Sequence, residues 1–321
     1  MNPVGRRALL AGLGAGAVGL ALPGCAADVR RLRLAAGDDG GIYAAFGALL
    51  APRLEARVDG LAVEVAVTAG SVDNLRRLAD GDAGIGLALA DSVEAGSGDP
   101  AEGVVALART YENYLQLLVP PDSPVRDVAG LRGRSVVLGA AGSGAAVSGG
   151  VLLEAAGLQT GGRGEGGRGA GVVEVRNAGL AASLTSLDDG SVDAVLWSGG
   201  IPTPAIAALD ATRPLRMLDL GAWAEPMAEV SGYPYRSRRA PDVAYAGTVT
   251  STIGVPNLLL ARADLADDLA AAVVETLARD AAALVPESAR GVQYLAPPSM
   301  IQTGSVPLHP GAVAAYQRLH G

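Results

Sequence analysis

Residues 62–74 read AVEVAVTAGSVDN and decide the fold class of this chain, because they join an apolar strand directly to the start of a helix. The first part, Ala62–Thr68, is rich in β-branched residues and predicts a buried strand. A glycine and a serine follow, and from Val72 to Ala79 the apolar residues recur at helical spacing until Gly81 ends the helix. A strand followed by a short turn and a helix is the unit of a parallel α/β sheet.

The same junction occurs three more times, as LRLAAGDDGGIY at 32–43, VVLGAAGSG at 136–144 and AVLWSGGIP at 194–202. The first N–H groups of a helix have no acceptor within the helix, and glycine has no Cβ to keep a ligand away from the backbone. Carboxylates and phosphates bind well in such surroundings. Because ligands bind at the carboxyl ends of the strands in doubly wound sheets, the four turns predict two lobes that face one cleft.

The composition excludes several kinds of function. The chain has 321 residues, enough for about two domains, and its 50% apolar and 18% charged content is typical of a globular protein. All 25 cationic residues are arginine, against 33 acidic ones, so the net charge of −8 leaves no basic surface for nucleic acid. The absence of lysine excludes Schiff-base and Walker A chemistry, and two histidines with one cysteine do not suffice for an ordinary zinc or iron site. We therefore expect no cofactor, no metal and no nucleic-acid partner.

The N-terminal residues 1–24 predict an export signal. Two arginines at 6–7 precede the uncharged run Ala8–Pro23, which is shorter than the ~20 residues that a membrane span requires. The run ends at LPGC, which is similar to a bacterial lipobox, in which the cysteine is lipidated after cleavage. Cys25 is thus either the lipid anchor or an incidental thiol. We expect residues 25–31 to form a tether between the anchor and the first lobe. The paired arginines also resemble a twin-arginine signal, so both export routes stay open.

Beyond the junctions the sequence signals are weaker. Strand signals include short runs at Gln116–Val119 and Asn257–Leu260, and the longest helix signal is Leu265–Leu284. Residues 222–247 mix prolines with tyrosines, and we expect them to wrap one lobe as irregular chain. The arginines in this stretch predict a solvated face rather than an anion site: Arg236, Arg238 and Arg239.

Short motifs in a fixed order carry a resemblance to a known family. They are AGDDGGIY at 36–43, GSVDNL at 70–75, GDA at 81–83 through Asp91, YE at 111–112, LRGRSV at 131–136, GSG at 142–144, DGSVDA at 189–194, GGIP at 199–202 and PLHPGA at 307–312. With these motifs the chain resembles the TAXI family of solute-binding proteins, the receptors of one class of tripartite ATP-independent periplasmic (TRAP) transporters. The resemblance covers nearly all of residues 32–321.

The resemblance implies an α/β, two-lobed periplasmic-binding-protein fold of a type II-like kind. Each lobe would be a mostly parallel sheet flanked by helices, with residues 32–115 plus 261–321 in lobe 1 and residues 119–250 in lobe 2. Two hinge strands would lie near 114–119 and 252–260. The protein would stay in the periplasm or on the outer face of the cytoplasmic membrane. There it would deliver a small carboxylate-bearing solute, such as a glutamate-like amino acid or a dicarboxylate, to the TRAP permease without catalysis.

One departure from the family pattern bears on the solute. Asp38 and Asp39 stand where the family more often has a small polar residue and proline. Two added acids disfavour a purely anionic ligand, because like charges repel. A zwitterion, or another solute that carries an amine, is therefore favoured over a plain diacid.

The candidate ligand-binding residues lie in or near the four junctions. They are Gly41, Ile42, Tyr43, Ser71, Asn74, Asp91, Ser143, Gly144, Ala145, Trp197, Gly200 and Pro202. With no arginine inside any junction, we expect backbone N–H groups at Gly41–Tyr43, Gly70–Val72 and Gly142–Gly144 to hold the carboxylate, supported by the two serine hydroxyls.

Several of these side chains have a structural role as an alternative. Tyr43 either contacts the solute or packs in the core, and the two serines either cap helices or share their hydroxyls with the solute. Asn74 could reach the same point as Ser71. Asp91 either accepts a substrate amine or caps a turn. Trp197 is expected to line the cleft, because its large surface and N–H group suit a half-wet site.

Two other functions compete with the TRAP receptor. An ABC-type substrate-binding lipoprotein would share the fold and the anchor. A secreted serine hydrolase would use AVSGG at 146–150, a loose match to the nucleophile elbow, together with His309. An elbow serine stands immediately at the end of a strand, however, whereas Ser148 falls inside a predicted helix, so we expect no catalytic residues.

Overall fold

The computed structural model describes residues 30–94, 103–161, 171–286 and 294–320. The export signal and Cys25 lie outside the described residues. The strands are β1 (Arg30–Ala35), β2 (Leu61–Ala66), β3 (Ile85–Leu89), β4 (Val104–Val119), β5 (Ser135–Val137), β6 (Thr160–Gly161), β7 (Val173–Arg176), β8 (Ala194–Gly199), β9 (Arg216–Leu218), β10 (Arg236–Arg239) and β11 (Ser251–Arg262). The helices are α1 (Ile42–Arg57), α2 (Ser71–Asp80), α3 (Ala90–Glu94), α4 (Gly144–Ala155), α5 (Leu180–Asp188), α6 (Pro204–Thr212), α7 (Ala224–Ser231), α8 (Asp267–Arg279), α9 (Pro297–Met300) and α10 (Pro310–Leu319).

The strands form one sheet in the order β2-β1-β3-β11-β4-β8-β5-β7-β6, to which β9 and β10 add at β4 and β11. β2, β1 and β3 run parallel in one lobe, and β8, β5, β7 and β6 run parallel in the other. β11 and β4 join the two groups by antiparallel pairing. Two lobes of mostly parallel sheet, expected from the recurring junctions, are thus present.

β4 and β11 are much longer than the sequence predicted. The signal at Gln116–Val119 is only the end of a 16-residue strand, and Asn257–Leu260 lies inside a 12-residue strand. Almost every residue of β4 is buried, so apolar and polar residues do not alternate along it. The first half of β4 pairs with the end of β11 beside β3, and its second half pairs with β8, so both long strands run from one lobe into the other.

Two other predictions need correction. The irregular chain expected at 222–247 contains α7 and β10, and β10 pairs antiparallel with β11. Within β10, Arg236 and Arg239 are exposed as expected, but Arg238 is half-buried and pairs with Glu112. The single helix expected at Leu265–Leu284 ends at Arg279 and continues as a 3₁₀ turn at Ala281–Leu284.

One apolar cluster on the sheet runs through both lobes, and each lobe also has a cluster of its own. In lobe 1, α1, α8 and α10 cover one face of the sheet, where Leu34, Phe46 and Val274 are fully buried. In lobe 2, Val195 and Ile206 belong to a second cluster between the sheet, α5 and α6. These cores hold the helix starts at fixed positions along the strand ends. No helix in the described part of the chain is long and apolar enough to cross a membrane.

Candidate functional site

A cleft of about 480 Å³, part of which is open to solvent, lies between the two lobes at the carboxyl ends of the strands. Its walls are the N-terminal ends of three helices: α1 with Ile42 and Tyr43, α2 with Ser71, and α4 with Ser143, Gly144 and Ala145. Leu89, Asn113, Trp197 and Ser198 line the remaining surface. All four predicted junctions therefore contribute residues to one cleft, the fourth through Trp197 and Ser198.

Five backbone N–H groups at the cleft donate to no protein acceptor among the described residues. They belong to Ile42, Tyr43, Ser71, Gly144 and Ala145, all within the first turns of their helices. The first N–H groups of a helix carry its positive dipole end, so this arrangement favours a negatively charged group. No arginine lines the cleft in the described part of the chain.

Some of the N–H groups expected to hold a carboxylate are bonded within the protein instead. Gly41 N–H donates to Asp38 O at 3.0 Å, and Ser143 N–H donates to Ala140 O at 3.0 Å. Gly70 N–H donates to the Thr68 hydroxyl, 3.2 Å away. These three N–H groups form hydrogen bonds within their own turns, and the sequence alone does not predict that geometry. The N–H groups of Gly41, Gly70 and Ser143 are therefore excluded, and the expectation that backbone N–H groups hold a carboxylate stays a prediction for the five groups named above.

The Val72 N–H group is also unavailable to a solute, because it forms a hydrogen bond with the other lobe. It donates to Gly142 O at 3.0 Å, and Asp73 N–H donates to the same oxygen at 3.2 Å. Gly142 belongs to the turn after β5 in lobe 2, whereas α2 belongs to lobe 1. The two lobes thus touch directly at this point.

The Tyr43 hydroxyl begins a hydrogen-bonded network along the cleft floor. It donates to Asn257 Oδ1 at 2.5 Å, and Asn257 Nδ2 donates to Asn113 Oδ1 at 3.0 Å. Asn113 Nδ2 in turn donates to Ser198 O at 3.3 Å. Burial raises the pKa of the Tyr43 hydroxyl far above its ordinary value, so the phenol stays protonated. The network joins α1 to β8 through the two long strands β11 and β4, and Tyr43 has a structural role as well as a face on the cleft.

The two serines differ in what they do. The Ser143 hydroxyl accepts from Ala146 N–H at 3.1 Å and is the N-cap of α4. Ser71 is the first residue of α2 rather than its cap, and its hydroxyl accepts from Leu89 N–H at 3.0 Å. Both side chains line the cleft, and each already holds one backbone donor.

Asn74 lies behind the cleft wall, not in it. Its Nδ2 donates to Leu87 O at 2.7 Å and to Ala36 O, and its Oδ1 accepts from the Thr68 hydroxyl at 2.6 Å. The amide therefore ties the ends of β1 and β3 to α2. We correct its expected role from ligand contact to support of the junctions.

Asp91 also lies outside the cleft, with its carboxylate fully buried. Asp91 Oδ2 accepts from the Tyr235 hydroxyl at 2.9 Å and from the Ser148 hydroxyl. Ser92 donates to Asp91 Oδ1 at 3.2 Å. These donors occupy the oxygens that were expected to receive a substrate amine, so that expectation is corrected too. Burial raises the pKa of the Asp91 carboxyl above its ordinary value, although the hydroxyl donors oppose the shift.

Asp91→Asn is expected to remove a pH dependence of stability. Because the folded-state pKa is raised, the unfolded chain loses this proton first as pH rises above about 4. The contribution of Asp91 to the wild-type free energy of unfolding therefore falls over that range, and the Asp91→Asn variant lacks this contribution. Urea unfolding at pH 4 to 7 measures it, with exposed Asp39→Asn as the matched control. Parallel curves for wild type and Asp91→Asn would contradict the assignment.

Trp197 separates the cleft from a smaller neighbouring pocket of about 290 Å³. Trp197 and Ile42 line both. Gly200 and Pro202, from the fourth junction, line only the smaller pocket. Gly200 O also accepts from the Thr203 hydroxyl at 2.6 Å. The fourth junction is therefore divided between the two: Trp197 and Ser198 line the main cleft, whereas Gly200 and Pro202 lie beside it.

Sequence reasoning did not name seven of the cleft residues as ligand-binding candidates: Gly37, Asp38, Ala69, Leu89, Asn113, Ala140 and Ser198. Asp38 lies in the junction at 32–43, and this position could have identified it as a cleft residue. Asn113 lies in the part of β4 that was not predicted as strand. The sequence therefore did not indicate which way its side chain points. Asp38 is the only charged side chain lining the cleft in the described residues, and its Oδ2 accepts from Leu180 N–H at 2.8 Å.

The serine and histidine of the hydrolase hypothesis do not come together. The Ser148 hydroxyl is buried in α4 and donates to Asp91. His309 is the N-cap of α10, where its Nδ1 accepts from Gly311 N–H at 3.1 Å. No hydrogen bond joins Ser148 to a histidine among the described residues.

The chain is similar to known proteins in sequence and in fold. Residues 34–318 match the sequence model of the NMT1-like family. Similar solved structures include XAC2383 from Xanthomonas citri bound to chloride ion, with 15% identity, a TM-score of 0.51 and coverage of 90% of this chain and 95% of that one. The periplasmic binding protein BugD is 14% identical with a TM-score of 0.54, covering 90% of this chain and 93% of its own. These likenesses confirm the two-lobed periplasmic-binding-protein-like fold.

Proposed function

The chain belongs to the NMT1-like family, and from this membership and its cleft we propose that it is an extracytoplasmic receptor that binds a small carboxylate-bearing solute. One observation carries the proposal: five free N–H groups from the ends of three helices line one cleft in the described part of the chain. A carboxylate in that position accepts several charge-assisted hydrogen bonds without a cationic side chain.

Asp38 narrows the class of solute. Its carboxylate lines a cleft that has no other charged side chain among the described residues. A second negative charge on the solute would be repelled there, whereas an ammonium group would be attracted. We therefore place a zwitterion, such as a glutamate-like amino acid, ahead of a plain dicarboxylate.

The proposed role is binding and delivery without catalysis. The TAXI-like motifs favour a TRAP permease as the membrane partner, and the fold serves an ABC-type importer equally well. Neighbouring genes distinguish the two, since a fused multi-helix permease accompanies one and an ATPase the other. We also propose that the protein is exported and held at the outer face of the cytoplasmic membrane through lipidated Cys25.

A thermal-shift screen of amino acids and dicarboxylates tests the proposal. A solute at 100 times its Kd stabilises the folded state by about 2.7 kcal/mol, which raises the melting temperature by several degrees. We expect at least one zwitterionic amino acid to produce this shift. A panel in which none of these compounds moves the melting temperature would contradict the proposal.

A further inference from the structure

Helix α5 of lobe 2 takes its N-terminal cap from lobe 1. Its N-cap residue is Gly179, which has no side chain to bond the first N–H groups. Asp38, from the turn before α1, supplies the missing acceptor, because its Oδ2 lies 2.8 Å from Leu180 N. Asp38 lies 142 positions away in the chain and in the other lobe. This capping hydrogen bond therefore forms only when the two lobes are closed.

The absence of a side chain at Gly179 leaves room for Asp38 to make this contact. A Cβ on Gly179 would lie 2.8 Å from Asp38 Oδ2 and 3.4 Å from its Cγ. The backbone there has ordinary extended geometry, with φ at −64°, so the turn itself does not require glycine. A side chain at position 179 would instead displace the Asp38 carboxylate from this contact.

The facing helix is capped in the same manner from the opposite direction. α2 begins after Gly70, which provides no side-chain cap, and Gly142 O of lobe 2 accepts from Val72 N–H and Asp73 N–H. Each lobe thus supplies an acceptor for a helix of the other. Behind the cleft, Asp91 of lobe 1 also accepts from Ser148 and Tyr235 of lobe 2.

We propose that Asp38 is a closure-determining residue, which caps α5 from the opposite lobe and so stabilises the closed state before any solute arrives. The importance of closure rests on the proposed function, but the contact itself involves protein atoms alone. Solute affinity then depends on Asp38 in two ways, through the charge it presents to the cleft and through the closed population it maintains.

Double electron-electron resonance on the full chain without solute tests this proposal. Spin labels at Ala48→Cys in α1 and Ala211→Cys in α6 report the distance between the lobes, in a Cys25→Ala background. Both positions are exposed. We expect the otherwise unchanged chain to show a short-distance population, and Asp38→Ala and Gly179→Ala to reduce its ratio to the open population about threefold or more.

Two variants separate the cap from a general loss of structure. Asp38→Asn keeps an oxygen that can accept from Leu180 N–H, so we expect it to retain most of the short distances. Gly150→Ala, in the exposed part of α4 with nothing within 4 Å of its added Cβ, leaves them unchanged. Unaltered distances in Asp38→Ala and Gly179→Ala, or a wild type that shows only long distances, would overturn the proposal. Because no solute is used, a failed solute screen does not affect this result.

Discussion

Gly144→Val is expected to lower solute affinity by about 100-fold, which corresponds to about 2.7 kcal/mol. An added Cβ at Gly144 would lie 2.5 Å from Leu89 Cδ1 and 2.6 Å from Ser71 Oγ, and valine adds two methyl groups beyond it. Gly144 belongs to α4 of lobe 2, whereas Leu89 and Ser71 belong to lobe 1, so the collision prevents the lobes from closing. It also blocks the approach of a carboxylate to the Gly144 and Ala145 N–H groups.

Calorimetric titration measures the loss, with two variants for comparison. Gly150→Val introduces the same side chain into the same helix, where an added Cβ has no neighbour within 4 Å, and should bind as wild type. Ser143→Ala removes one hydroxyl and a helix cap but leaves the backbone donors, so it should cost about 0.5–1.5 kcal/mol of binding. If Gly144→Val bound normally while one Arg→Ala change abolished binding, a guanidinium group would hold the carboxylate instead.

Arg238→Met is expected to lower the free energy of unfolding by about 3 kcal/mol. Arg238 Nε lies 2.9 Å from both carboxylate oxygens of Glu112, whose side chain is completely buried. Removing the guanidinium group leaves a buried carboxylate without its cation. We take the lower end of the range for broken buried pairs, because the Arg238 side chain is 32% exposed.

Denaturant unfolding of single and double variants isolates the pair. Arg238→Met with Glu112→Leu removes both charges and should recover most of the loss. Arg213→Met breaks an ion pair with Asp188 in which both side chains are about half-exposed, and should cost less than about 1 kcal/mol. Equal losses in Arg238→Met and Arg213→Met would show that the Glu112 pair does not stabilise the long strand β4.

The arrangement of the two lobes was predictable because it depends on local patterns. Strand, glycine turn and helix start occur within about 15 residues of chain, and both β2 and α2 were predicted to within one or two residues at each end. The first half of β4 was not, because a strand buried on both faces shows no alternation. β10 was missed because its sequence, RSRR, has no apolar residue, and only pairing with β11 makes it a strand.

The candidate site was predictable to the extent that it consists of backbone. Helix starts at Ile42, Ser71 and Gly144 follow from local sequence, so their N–H groups could be named. The partners of Asp38, Asn74 and Asp91 could not, since they lie on segments that the fold brings together from a distance. A polar side chain next to a junction can face the cleft, the core or the other lobe, and packing decides among these.

Isothermal titration of the purified full chain, with recovery of the solute afterwards, tests the central claim most directly. The titrant is the amino acid that raises the melting temperature most. The account predicts saturable binding of one solute per chain, with the solute recovered chemically unchanged. Conversion of the solute by the protein, or no saturable binding below about 1 mM, would contradict it.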